Sequence, residues 1–266
     1  VCEKHDIWDY TALSVIGTSH QKNGQPCQDA CAVKELNETL ICVAADGAGS
    51  ARYADIGAKL LVKEIISDFA SLPAMPENET EWLETVKEMV KRAREKILEK
   101  AQEMESEPRE LAATLLVAII APDAVVGVQI GDGAIIYGRE DEDNLHLLIK
   151  PDKNEYLNET SFISSENYAR KMITNCEMNH KINRIALITD GLQMLALDMK
   201  INPPAPHPGF FNIFFDSLDK VEAEERKEQL ENFLHSERIC SRTDDDKTLI
   251  FAAKKPLLAK KYESSD

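Results

Sequence analysis

A chain of 266 residues with 43% hydrophobic and 29% charged side chains can bury a sizeable core and lies far from the composition of a disordered protein. Its formal charge of −16 at pH 7 repels phosphate backbones and anionic lipid, so neither nucleic acid nor a membrane is an expected partner. No apolar run is long enough to span a bilayer, no signal-peptide pattern opens the sequence, and six cysteines lie scattered without a CxxC pair; reduced, mostly buried thiols and a cytoplasmic setting are expected.

In chain order, residues 11–17 and 40–45 are β-branched or apolar runs that end in turns and read as strands. Apolar residues at helical spacing over 53–69 predict a helix lying on a sheet. Asn78, followed three residues later by Glu81, forms a capping-box pattern that opens a second, longer helix with Leu83, Val86, Val90, Ala93, Ile97, Ala101 and Met104 on one face. Residues 112–121, 124–130 and 134–137 are short apolar runs separated by turn signals and predict consecutive antiparallel strands, with 145–149 a further one.

The stretch 150–179 is polar and weakly periodic, as a surface excursion would be. Residues 184–189 return to a buried strand, 192–197 start a helix, four prolines between 203 and 208 mark a loop, and two short helices (210–218 and 221–235) lead to a last strand at 248–253. Strands come in clusters and helices in pairs, so the alternating rhythm of a doubly wound parallel sheet is missing. An α+β antiparallel sandwich is the expected fold. One domain is expected over 1–254, with 150–179 as a possible flap and 255–266 as a basic, frayed tail.

Three apolar strands end in or lead to acidic turns: Asp46-Gly47, Gly131-Asp132-Gly133 and Asp190-Gly191. A fourth acidic run, Asp244-Asp245-Asp246, precedes the last strand. An Asp beside a Gly is most often just a tight turn. Hard divalent cations, however, take oxygen ligands, and a short carboxylate held at a strand end suits Mg²⁺ or Mn²⁺. Cys27 and Cys31 share a CxxxC spacing, but no second pair follows to complete a metal site.

With their flanks, these turns fall into a longer series: Gly17-Thr18-Ser19-His20, Gln25-Pro26-Cys27-Gln28-Asp29-Ala30, Ala45-Asp46-Gly47-Ala48-Gly49-Ser50, Ala113-Thr114, Gly131-Asp132-Gly133, Thr189-Asp190-Gly191-Leu192 and Asp245-Asp246-Lys247-Thr248. In this order the chain resembles the type 2C (PPM) metal-dependent Ser/Thr protein phosphatases, in a bacterial-type branch. The resemblance implies a four-layer α/β/β/α sandwich of two mainly antiparallel sheets flanked by helix pairs. It implies a catalytic set of Asp29, Asp46, Asp190 and Asp245, with two Mn²⁺ or Mg²⁺ ions held by Asp46, the Gly47 carbonyl, Asp190 and Asp245. Asp29 would act through bound water, and Asp132 matches a position that helps hold a third ion. Water activated between two cations would attack phosphoserine or phosphothreonine in line, without a phosphoenzyme. The implied partners are a phosphorylated protein and, in bacterial signalling, the Ser/Thr kinase that the enzyme opposes.

The sequence departs from the family pattern at defined positions. Gly24 stands where a phosphate-binding Arg is usual, which leaves His20 and Lys22 as candidates for that contact; His20 is equally a candidate structural hydrogen-bond donor. Gln28 replaces a common Glu. Ala48 replaces the His that serves eukaryotic members as proposed general acid, and Met194 replaces an Asp that helps hold the third ion. The missing Arg and His leave open a non-catalytic binding module, and a metal-dependent hydrolase of small phosphate esters is a second alternative.

Overall fold

The computed structural model describes residues 7–150, 160–201 and 203–255. Its elements are β1 (Trp8–Val15), α1 (Thr18–Asn23), β2 (Ala30–Leu36), β3 (Thr39–Ala45), α2 (Ala54–Ala70), α3 (Glu79–Glu103), β4 (Leu115–Ile120), β5 (Ala124–Ile130), β6 (Ala134–Arg139) and β7 (Leu145–Leu147). They continue with α4 (Tyr168–Lys171), β8 (Ile173–Met178), β9 (Ile182–Ile188), α5 (Gln193–Ala196), β10 (Leu197–Asp198), β11 (Ala205–Pro206), α6 (Pro208–Leu218), α7 (Ala223–Leu234), α8 (Glu237–Cys240) and β12 (Lys247–Lys254).

Two five-stranded antiparallel sheets, ordered β1-β12-β9-β6-β7 and β2-β3-β4-β5-β8, make the two inner layers. Strand alternation sorts their side chains. Leu40, Cys42, Leu116, Ala118, Ile185, Leu187, Ile250 and Ala252 fill the space between the sheets. Ile41, Val43, Val117 and Val126 point the other way, into α2 and α3, while Leu249, Phe251, Ala186 and Ile188 meet α6 and α7. Both faces of each central strand are therefore dry, which is why these runs are continuously apolar. The four-layer sandwich is the expected fold.

Local chemistry explains the helix borders. Asn78 Oδ1 accepts from the Glu81 backbone N–H at 3.0 Å and so caps α3, while the Glu81 carboxylate reaches back past the cap to accept from Glu77 N–H at 2.9 Å and from Asn78 Nδ2 at 2.7 Å. On α6, Phe210, Phe211, Phe214 and Phe215 supply the apolar face, with edge-on ring contacts at 5.1 and 5.4 Å.

Several expectations need correction. The first strand begins at Trp8 rather than at 11 and ends at Val15, before Gly17. β2 and the short α1 were not expected at all. The stretch 150–179 is not a surface excursion throughout, because Ile173–Met178 forms the edge strand β8, paired in register with β5. Its half-exposed side chains give it the polar look of a loop. Residues 151–159 of that stretch, and the expected tail from 256 onward, lie outside the described residues. The described cysteines are all free, but only Cys42 is buried; Cys27, Cys31, Cys176 and Cys240 are half-buried. Among the described residues no helix is long and apolar enough to cross a membrane.

Candidate active site

Asp46 leaves the end of β3 and is fixed by a reciprocal pair of bonds: its N–H donates to Thr114 Oγ1 at 3.0 Å, and its carbonyl accepts from Thr114 N–H at 2.8 Å. Gly47 bridges to Ala113 across the same gap. A Cβ on Gly47 would press on the Ala54 backbone at 2.8 Å, so only glycine lets the chain turn here against α2. Asp190 leaves β9 in a tight single-turn helix that runs on into α5. Asp132 sits at the tip of the β5–β6 turn, where Thr160 Oγ1 donates to its Oδ2 at 2.9 Å.

These three half-buried carboxylates converge. One oxygen from each of Asp46, Asp132 and Asp190 lies within 4.8 Å of the others. Asp245 stands outside this trio at the exposed rim, its Oδ1 accepting from Asp246 N–H at 2.8 Å. Asp29 lies beneath, 4% exposed. Its Oδ2 accepts from Thr189 Oγ1 at 2.8 Å and Thr248 Oγ1 at 2.7 Å, and its buried Oδ1 has no hydrogen-bond partner.

Burial first, and then the crowding of carboxylates, raises the pKa of these groups. Burial, then the charges of Asp29 and Asp190, push Asp46 up to about 11. Burial pushes Asp29 up to about 7 despite its two threonine donors. Burial, Asp132 and Asp245 bring Asp190 up to about 6, and burial lifts Asp245 in the same direction. A hard cation relieves this repulsion and takes oxygen ligands. The oxygen-only donor set, the orphaned Asp29 oxygen and the mutual repulsion therefore all fit a divalent metal. No cysteine joins a metal-holding group among the described residues.

A family model described as protein phosphatase 2C matches residues 16–235. The chain belongs to that family. Within it, Serine/threonine-protein phosphatase 3 of Escherichia coli (strain K12) is 34% identical over 254 residues, which are 92% of this chain and 98% of that protein. The serine/threonine phosphatase Stp1 from Staphylococcus aureus superposes with a TM-score of 0.65 at 13% identity, covering 96% of this chain and 100% of its own. The serine/threonine phosphatase of S. agalactiae gives 0.64 at 16% identity, over 93% and 100%. At these identities the structures show a shared phosphatase 2C fold.

Gly24 ends α1 in a left-handed conformation, φ +65°, and so supplies a turn where the family pattern has a side chain. His20, on α1, places Nδ1 2.9 Å from Asp246 Oδ2, while Lys22 is exposed two residues on. Ala48 is buried, its N–H donating to Ala112 O at 2.9 Å. Met194 is 76% exposed.

Asp246 was not singled out by its sequence, yet it is 2% exposed and accepts 2.6 Å bonds from both Gly17 N–H and Gln28 N–H. One of three consecutive aspartates carries no sequence mark of burial. Nor does anything in the sequence signal that Thr189 and Thr248 face Asp29.

Proposed function

We propose that this phosphatase 2C protein removes phosphate from serine and threonine of proteins, using divalent cations held at the acidic cluster, and opposes a Ser/Thr kinase in bacterial signalling within the cytoplasm. The convergence of Asp46, Asp132 and Asp190 from three separate turns carries this reading. Asp46, Asp190, Asp245 and the Gly47 carbonyl would hold two Mn²⁺ or Mg²⁺ ions, and Asp132 would help a third. When bound there, such cations would supply activation of water and offset of charge on the phosphoryl oxygens.

The protein's own residues supply the frame. Asp29, fixed by two threonines, presents its unpartnered oxygen inside the site, where it orients water. His20 stands 2.9 Å from Asp246, the residue that follows Asp245. In this reading it helps meet the anionic phosphoryl group at the rim, with Lys22 as the outer cation. The family relationship to a Ser/Thr protein phosphatase from E. coli favours a protein substrate over a small phosphate ester.

The test is hydrolysis of a phosphothreonine peptide with Mn²⁺, Mg²⁺ or chelator, comparing wild type with Asp46→Asn and Asp190→Asn. Metal-dependent turnover abolished by both substitutions is expected. Metal binding without turnover on any phosphopeptide would overturn the catalytic reading in favour of a binding module, and turnover restricted to small esters would overturn the protein substrate.

A further inference from the structure

Gln193 lies on the helical turn that follows Asp190, and its side chain reaches the neighbouring turn: Nε2 donates to Gly133 O at 3.1 Å. From the other side, Gln129 on β5 donates to Gly131 O at 3.1 Å and to Gly133 O at 3.4 Å. Two carboxamides thus grip the carbonyls on both sides of Asp132. The turn they grip has little freedom of its own. Gly131 and Gly133 hold φ of +87° and +100°, and a Cβ on either would run into Thr114 Cγ2 at 2.6 Å or Ile188 O at 2.7 Å.

The bond from Gln193 is a side-chain link from the Asp190 turn to the Asp132 turn, added to the backbone pairing of Ala134 with Ile188. One oxygen from each of Asp190 and Asp132 lies within 4.8 Å of the other, and two like-charged groups that close need a frame to hold them there in the absence of a cation. A carboxamide suits the task because it donates a hydrogen bond without adding charge. A glutamate there has no N–H to give, and a lysine would compete with the cation.

We propose that Gln193 is a positioning residue that sets the spacing of Asp190 and Asp132 for a divalent cation. It acts through Asp132 and is not itself a ligand. The proposal rests on cation binding at the acidic cluster, and its test is read by binding rather than by turnover.

Mn²⁺ is titrated calorimetrically into metal-free wild type, Gln193→Met, Asp132→Asn and the double variant, and each is melted in EDTA. Gln193→Met is expected to weaken, about ten- to hundredfold, the Mn²⁺ binding step that Asp132→Asn also weakens, the usual scale for outer partners of metal ligands. Its melting temperature in EDTA stays within about 3 °C of wild type. The double variant binds no more weakly than Asp132→Asn alone, since nothing is left to position.

Unchanged Mn²⁺ affinity in Gln193→Met overturns the proposal. So does an additive loss in the double variant or a collapse of the EDTA melting temperature, either of which marks a general fold contact. A wild type that binds no Mn²⁺ overturns the cation reading itself, a distinguishable result.

Discussion

His20 Nδ1 and Asp246 Oδ2 lie 2.9 Å apart, and the Asp246 carboxylate is 1% exposed. This one buried group gathers His20, the Gly17 N–H at the end of β1, and the Gln28 N–H that precedes Asp29. It thereby fastens the start of β12, next to Asp245, to the loop that delivers Asp29. Asp246→Asn removes one acceptor oxygen and leaves a buried N–H unmatched. A loss of about 1–3 kcal/mol is expected, read as a lower urea midpoint, together with reduced kcat/KM as Asp29 and Asp245 drift apart.

Asp46→Asn should separate stability from function. It removes the carboxylate that repulsion and burial push highest, so hydrolysis disappears while the protein melts higher in EDTA than wild type does. Functional sites commonly store such destabilisation. Peptide hydrolysis and thermal melts of one preparation check both halves.

The metal-free protein should lose stability as pH rises. Asp190 and Asp29 hold protons up to about 6 and 7 in the folded state, whereas the unfolded chain releases them near the ordinary carboxylate value of 3.8. The native state therefore binds more protons across that window, and its advantage shrinks with each step upward. Melting in EDTA should fall between pH 5 and pH 8 by several degrees, roughly. Added Mn²⁺ should stabilise more at pH 8 than at pH 5, because its ligands are then deprotonated.

Arg226 should matter for folding alone. It is 3% exposed and spends its guanidinium on Asp9, Thr11, Leu218 O and Val221 O, locking α7 to the start of β1. That end of the strand lies roughly 25 Å from Gly17 at ordinary strand rise. Arg226→Ala is expected to cost on the order of 3 kcal/mol, as when one partner of a buried ion pair is removed. The kcat of the folded fraction should stay unchanged.

Asp46 and Asp190 were legible because each interrupts the end of an apolar run, where an uncompensated charge is costly. The sandwich was legible from clustered strands and paired helices. β2 and β8 were not, because edge strands with half-exposed faces, such as Ile173–Met178, lack the apolar density of central strands. The second layer of the site was hidden for another reason. Gln193, Thr189, Thr248 and Asp246 gain their roles from partners 59 to 229 positions away, and no local pattern encodes such a meeting.

β12 lies between β1 and β9, pairing with β1 along its whole length and with β9 over Leu249–Ala253, and the residues just ahead of it supply Asp245 and Asp246. β1 is made long before β12, its strand partner in the sheet among the described residues, and cannot join that sheet until residues 247–254 have left the ribosome. Until then the nascent chain carries an unclosed sheet and lacks Asp245 and Asp246. Such long-range closure is intrinsically slow. A chain cut short before residue 245 would lack both the strand that closes this sheet and the two aspartates that lead into it.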